Sequence, residues 1–245
     1  MPQESQRIRD LLRAGLPVPD AEFDALLPDS PRLASARHWT PVKVALRAAQ
    51  ALAEAGAGQV LDVGSGAGKF CVIGALATPL AFTGIEHREH LVREAEALAM
   101  RLGVSERATF VASDFDTMDF RDFDALYFFN PFGENQFTSV HHIDATVELN
   151  RRRFDRDVAK AERLLDQVSR GTHLATYNGF GGRIPDTFDL LHAQFAESNL
   201  LRLWRKSRRE SAGGYWLELE GSTLLRGPGD QEQTFFPTLQ SLDGN

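Results

Sequence analysis

The sequence predicts an α/β fold: a doubly wound, mostly parallel seven-stranded sheet with helices on both faces and a C-terminal antiparallel hairpin. Three observations predict it. Short apolar runs alternate with segments of helical periodicity, the mark of repeated strand–helix–strand units and of a parallel sheet covered on both sides. One strand runs straight into a glycine-rich turn and a helix, Val60-Leu61-Asp62-Val63-Gly64-Ser65-Gly66-Ala67-Gly68-Lys69. Open α/β sheets cradle nucleotides at such turns. Near residue 200 the alternation stops, and two strand-like runs flank a basic, glycine-containing turn.

The elements follow in order. Residues 1–39 mix an amphipathic segment (Ile8, Leu11, Leu12) with prolines at 17, 19, 28 and 31, and read as a helical arm packed on a domain. Thr40 is a candidate N-cap and Pro41 suits the first turn of a helix with Val42, Leu46, Ala49 and Ala53 on one face and Gly56 at its end. Strands are predicted at 60–63, 81–85, 108–112, 125–129 and 172–176. Helices are predicted over 70–77, over 88–102 with Gly103 as its stop, and over 146–169. A last helix is predicted over 188–196, and a hairpin from 200–204 and 215–219. The domain so defined covers 40–225, and 226–245, with Gly227-Pro228-Gly229, reads as a peripheral extension.

A chain of 245 residues can bury the core of one sizeable α/β domain. Its 42% hydrophobic and 25% charged content is that of an ordinary soluble protein. The formal net charge of −7 sets up no broad field for nucleic acid, so nucleic acid is not the expected partner. The single cysteine, Cys71, precludes an internal disulfide and suits a reducing compartment. The polar N-terminus has no hydrophobic signal region, and no stretch approaches the roughly 18 apolar residues of a membrane span. The expectation is a cytoplasmic protein without a membrane partner.

The glycine register narrows the ligand. A dinucleotide fingerprint needs its third glycine where Lys69 stands; here it comes one residue early, at Gly68. Asp62, two residues before the first glycine, would repel a diphosphate and attract a ligand carrying an ammonium and a sulfonium. The second strand ends on Glu86, placed to accept hydrogen bonds from both ribose hydroxyls, a device that dinucleotide enzymes share. The third runs into Asp114-Phe115. Three carboxylates on successive strand ends suit a cation better than a diphosphate, which disfavours an NAD(P)-dependent oxidoreductase. Plain helix-capping and turn roles stand beside the functional ones for Glu86 and Asp114.

With these residues the run resembles the first motif, D/E-x-G-x-G-x-G, of class I S-adenosylmethionine-dependent methyltransferases. The resemblance implies their seven-stranded fold, with S-adenosylmethionine as cofactor. It implies cofactor binding by Thr40, Asp62, Gly64, Ser65, Gly66, Gly68, Glu86, His87, Asp114, Phe115 and Asn130. In that family Asp114 would accept from the adenine amino group, with Phe115 against the ring. Asn130-Pro131-Phe132, after the fourth strand, partly matches the N-P-P-Y/F motif of enzymes that methylate amino groups; Phe132 stands where the second proline would be. That match implies Asn130, Pro131 and Phe132 as catalytic residues facing the transferring methyl, and an amino nitrogen as acceptor. A strand-ending turn with a core phenylalanine is the plainer reading of the same residues.

A narrower resemblance, over about 40–133, is to non-SET histone lysine methyltransferases. It rests on D-x-G-S-G-x-G, a G-x-E strand end, a D-F pair, and an asparagine followed by aromatics and glycine. Their lysine channel is not recognisable beyond that point. Protein-lysine methylation is therefore an alternative, as is a S-adenosylmethionine-binding module without catalysis. The acceptor, small molecule or protein, is unidentified. His38 and Trp39 are candidates for the acceptor pocket or for plain packing. Glu134, His141, His142 and Tyr177 are candidates for a general base or for solvated and structural roles. Neither His87/His90 nor His141/His142 has the H-E-x-x-H register, and no cysteine set accompanies them, so no metal is expected. Arg151-Arg152-Arg153 and the basic run at 205–209 read as solvated charge or as contacts to an acidic acceptor.

Overall fold

The computed structural model describes residues 2–207, 215–219 and 222–226. Five parallel strands form the centre of its sheet: β1 (Gln59–Val63), β2 (Ala81–Glu86), β3 (Ala108–Ala112), β4 (Ala125–Phe128) and β5 (His173–Tyr177). β6 (Phe188–Ala196) and β7 (Asn199–Lys206) complete it in the order β3-β2-β1-β4-β5-β7-β6, β7 pairing antiparallel with both neighbours. Six strands thus run one way and one runs against them.

Each central strand is apolar on both sides because helices cover both faces. Val60, Ala125, Tyr127, Ala175 and Tyr177 point into one core, with Phe70, Ile73, Phe82 and Leu98. Leu61, Val63, Leu126, Phe128 and Leu174 point into the other, with Phe120, Phe154, Leu165 and Phe180. The period of two along a strand divides the same few residues between two cores.

The helices are α1 (Pro2–Arg13), α2 (Asp20–Asp24), α3 (Asp29–His38), α4 (Val42–Glu54), α5 (Lys69–Ala77), α6 (Glu89–Leu102) and α7 (Arg151–Gln167). Gly103, at φ +69°, closes α6 in the left-handed conformation expected of it. Two predicted starts differ. Thr40 does not cap α4: its hydroxyl is buried at 3.0 Å from the Tyr127 hydroxyl, and the first helical amide, Val42, donates instead to the Asp20 carboxylate. α7 begins at Arg151 rather than 146, because the Asn150 side chain accepts from the Arg153 amide and caps the helix there.

The C-terminal edge corrects the sequence reading most. Residues 188–196, expected as a helix, form β6. Their apolar residues fit either period, and pairing with β7 decides between them. A two-residue turn, Glu197-Ser198, with Glu197 at φ +55°, joins β6 to β7. The hairpin is therefore β6–β7, one element earlier than expected. Residues 215–219 pair not with 200–204 but with β9 (Ser222–Arg226), as β8 (Tyr215–Leu219) of a separate two-stranded ribbon. Arg208, Arg209 and the extension after Arg226 lie outside the described residues.

Lys69 fastens the N-terminal helices to the sheet. It opens α5 yet is only 2% exposed. Its ammonium meets Asp20 Oδ1 at 2.6 Å and Asp24 Oδ1 at 2.7 Å, with the Phe23 ring 5.6 Å away. The residue that breaks the dinucleotide register thus serves as a clasp for α2.

Candidate active site

Two adjoining hollows open at the carboxyl ends of the strands, where doubly wound sheets place their ligands. They share Gly64, Glu86, His87 and Pro131. The smaller, about 40 Å³ as it stands, lies between the ends of β2, β3 and β4 and is lined by Asp114, Phe115 and Phe132 as well. The larger, about 700 Å³, lies between the C-terminal end of α3 and the segment after β4.

The glycine loop has three left-handed residues, Gly64, Gly66 and Gly68, at φ +75°, +53° and +78°. Only Gly64 lines the hollows. A Cβ on Gly66 would lie 2.1 Å from the Trp39 ring, so this glycine lets the indole rest on the loop. Gly68 is packed in the same way against Ala95 and Phe110. Asp62 lies beneath the loop and lines neither hollow; its carboxylate accepts from the Cys71 thiol at 3.4 Å. Burial, reinforced by nearby Glu86 and opposed by the Cys71 hydrogen bond, pushes Asp62 up to about 7. Thr40 is occupied with Tyr127, and the buried Ser65 hydroxyl makes no hydrogen bond. Of the residues assigned to the cofactor from sequence, Gly64, Glu86, His87, Asp114, Phe115 and Asn130 come together at the hollows. Thr40, Asp62, Ser65, Gly66 and Gly68 form the layer beneath.

Glu86, 5% exposed, is the electrostatic centre. Its two oxygens accept from the amides of Gly66 (3.2 Å) and Arg88 (2.9 Å), and its remaining lone pairs face both hollows. Burial raises its pKa against those hydrogen bonds and the Arg88 charge. Burial, aided by Arg88 and Arg153, pulls His87 down to about 4, so that imidazole is neutral. Asp114 is largely exposed, 3.9 Å from the Arg153 guanidinium. The Phe115 and Phe132 rings lie 5.0 Å apart, forming an aromatic slot beside it. Phe132 therefore lines the smaller hollow and not the larger.

Asn130 turns the chain at φ +41°; its amide donates to Gly179 O (2.7 Å) and its carbonyl accepts from Gly133 (3.0 Å). A Cβ on Gly133 would meet the Asn130 amide nitrogen at 2.0 Å, so the missing side chain makes room for the Asn130 side chain. Asn130 Oδ1 is buried without a hydrogen bond, on the wall of the larger hollow. Asn178, at φ +58°, lines the same wall. Backbone strain of this kind gathers at functional sites.

The larger hollow is walled by Trp39, Phe129, Phe137 and Tyr177, with Leu33 at its edge. Spacing gave no hint of Phe129, Phe137 or Asn178; only their places just after β4 and β5 could have done so. Of the four base candidates, Glu134 is held by both terminal nitrogens of Arg88 at 2.9 Å and accepts from the Ile143 amide. The Tyr177 hydroxyl donates to Ala196 O, and His142 Nε2 is committed to Phe137 O. His141 lines the hollow. Arg88, read only as a helix start, is 3% exposed and ties the end of β2 to Glu134 and Asp144.

Residues 55–168, a little under half of the chain, match the family model described as a methyltransferase domain. The match spans the glycine loop, Glu86, Asp114-Phe115 and Asn130. Over these residues the chain is similar to a methyltransferase domain. Its fold is that of an RNA methyltransferase from Salinibacter ruber solved with S-adenosyl-L-homocysteine, at 20% identity and a TM-score of 0.50, covering 69% of this chain and 94% of that one. TrmN from Thermus thermophilus (19% identity, TM-score 0.49, 73% and 52% covered) and the putative methyltransferase yhhF from Escherichia coli (15%, 0.47, 68% and 86%) are also similar. No curated protein matches the sequence. The sheet of an RNA methyltransferase takes this form too, so the acidic net charge does not remove nucleic acid from the possible acceptors. Among the described residues no helix is long and apolar enough to cross a membrane.

Proposed function

We propose that the chain methylates a small-molecule acceptor enclosed in the larger hollow, with the cofactor along Gly64, Glu86 and the Asp114–Phe115 slot. The observation that carries this reading is the join between the two hollows: they share Gly64, Glu86, His87 and Pro131, so a donor in one abuts an acceptor in the other. The chemistry of the wall fits. Glu86 and Asp114 present carboxylate oxygens, which suit ribose hydroxyls, an adenine amino group and a cation. Two of the guanidiniums on these walls, Arg88 and Arg153, are already paired with carboxylates. When bound, the cofactor supplies an activated methyl with its own leaving group. The protein's part is alignment, from which several kcal/mol are available.

Asn130 Oδ1, buried and unpaired, would gain a partner from an N–H or O–H of the acceptor and orient it beside Pro131. An aromatic-walled volume of about 700 Å³ suits a small molecule. Protein-lysine methylation has no structural observation in its favour beyond the shared motifs.

Calorimetric titration with S-adenosylhomocysteine, against NADH, tests the reading. One-to-one binding of the first alone is expected. Glu86→Gln should weaken it by about 10-fold or more, the loss of one charge-assisted hydrogen bond of about 1.5–3 kcal/mol. Binding of NADH instead would overturn the assignment.

A further inference from the structure

We propose that His38 is the general base of the reaction and that the acceptor is an aromatic hydroxyl, an inference that rests on the methyltransferase reading of this site. His38 ends α3 and lines the larger hollow. Its Nε2 lies 3.1 Å from the carbonyl oxygen of His141. A carbonyl only accepts, so Nε2 carries the hydrogen and Nδ1 keeps a free lone pair. Nδ1 makes no hydrogen bond with the described residues, and it is not among the buried unsatisfied atoms. The ring is held between Phe137, edge-on at 5.7 Å, and Trp39 at 6.1 Å. A fixed tautomer with one open nitrogen, on a ring that lines an acceptor cavity, is what a proton-abstracting group requires.

Burial, more than the charges around it, favours the neutral imidazole. Burial lowers its pKa from 6.5, and Arg37 on its own helix and Arg88 after β2 act in the same sense. Glu134 and the His141 carbonyl, on the facing segment, oppose them. The competing bases are engaged: Glu134 with Arg88, Tyr177 with Ala196 O, His142 with Phe137 O. No hydrogen bond among the described residues orients the His141 ring, and His87 is too weak a base at about 4.

A base indicates the acceptor's chemistry. A neutral amine already offers a lone pair, whereas a phenolic hydroxyl, with a pKa of about 10, must lose its proton to become a good nucleophile. The walls of Trp39, Phe129, Phe137 and Tyr177 suit a planar ring. In the step, the hydroxyl proton passes to Nδ1 and the oxygen forms a bond to the methyl carbon. The methyl–sulfur bond breaks with its electron pair left on sulfur, and the imidazolium then gives its proton to water.

Two measurements test this on the full chain. In ¹⁵N NMR of labelled histidines, His38 should be the Nε2–H tautomer at pH 7 and titrate below 6.5; an Nδ1–H tautomer overturns the proposal. Release of S-adenosylhomocysteine is then followed with 2-naphthol, 2-naphthylamine and 4-nitrophenol as probes. His38→Asn should keep its affinity for S-adenosylhomocysteine and lose 10²–10⁴-fold in kcat on 2-naphthol. It should lose far less on 4-nitrophenol, which ionises unaided near neutral pH. Equal losses on both phenols, methylation of the amine alone, or a wild-type protein that binds S-adenosylhomocysteine and methylates neither phenol would each refute it. A wild-type protein that does not bind S-adenosylhomocysteine would instead sink the methyltransferase reading itself.

Discussion

The proposed cofactor side of the site is built within single strand-to-turn steps: Asp62 to Gly68 after β1, Glu86 to Arg88 after β2, Asp114-Phe115 after β3. The acceptor side gathers Leu33 to Trp39, Phe129 to Ile143, Tyr177-Asn178 and Ser198-Asn199 from four separate parts of the chain. The first needs only a parallel sheet to assemble. The second needs α3 and the segment after β4 to be held in place, and two buried cations hold them. Lys69 secures α2 through Asp20 and Asp24 and reaches the Ser35 hydroxyl of α3 at 3.4 Å, and Arg88 secures the segment through Glu134 and Asp144. Both cations start from the cofactor side, one just after the glycine loop and one just after Glu86. The acceptor walls are thus fastened to the cofactor's own framework.

Breaking the Lys69 clasp should have the largest effect. Lys69→Met leaves Asp24, 11% exposed at its side chain, without its cation. Removing one partner of a buried pair costs about 3–5 kcal/mol. Chemical denaturation should show that loss, and a second change, Asp24→Leu, should restore much of it by removing the stranded charge. A double variant as unstable as the single one would mean that Lys69 acts through its packing on Phe23 instead.

This contrast also explains what could be read in the sequence. Strand ends at 62, 86, 114 and 130 were legible because parallel strands carry dense apolar runs and end in chemically distinctive residues. β3 falls on the predicted residues, 108–112. β6 was misread because Phe188, Leu190, Leu191 and Phe195 carry no decisive period; an edge strand with a bulge between Leu190 and His192 depends on its partner. Lys69 and Arg88 were illegible as clasps, since their carboxylates lie 45 to 56 residues away in the chain. Trp39 on Gly66 belongs with them: the glycine was evident, and what it makes room for was not.

The next effect sharpens the cofactor side alone. Burial raises the Asp62 carboxyl to about 7 in the folded state, against 3.8 for an exposed aspartate. Between these values the folded state holds a proton that the unfolded state has lost, so stability falls as pH rises from about 4 to about 7 and is level above. At about 1.4 kcal/mol per unit the whole window is worth up to about 4 kcal/mol. His87, lowered to about 4, has the opposite slope: its contribution is lost as pH falls below 6.5. The comparison must therefore be between variants. Asp62→Asn should gain on the wild type in melting temperature from pH 4 to pH 8, and parallel profiles would show that Asp62 is ionised throughout.

The smallest effect on the fold should come from the second clasp, and it separates the two sides most cleanly. Arg88→Leu strands Glu134 and Asp144, whose side chains are 10% and 23% exposed, but they sit on an irregular segment that can turn them to water. The expected loss is about 1–2 kcal/mol, below the full cost of a buried broken pair. The backbone amide of residue 88 still donates to Glu86, so affinity for S-adenosylhomocysteine should stay within about 3-fold of the wild type, a change of under 1 kcal/mol. The segment over the larger hollow should instead loosen, since Glu134 also holds the Ile143 amide. Limited proteolysis should then cut within 133–145, where the wild type resists, and turnover of any acceptor should fall. If cofactor affinity dropped in step with turnover, the two sides would be one cooperative unit rather than a framework with a wall fastened to it.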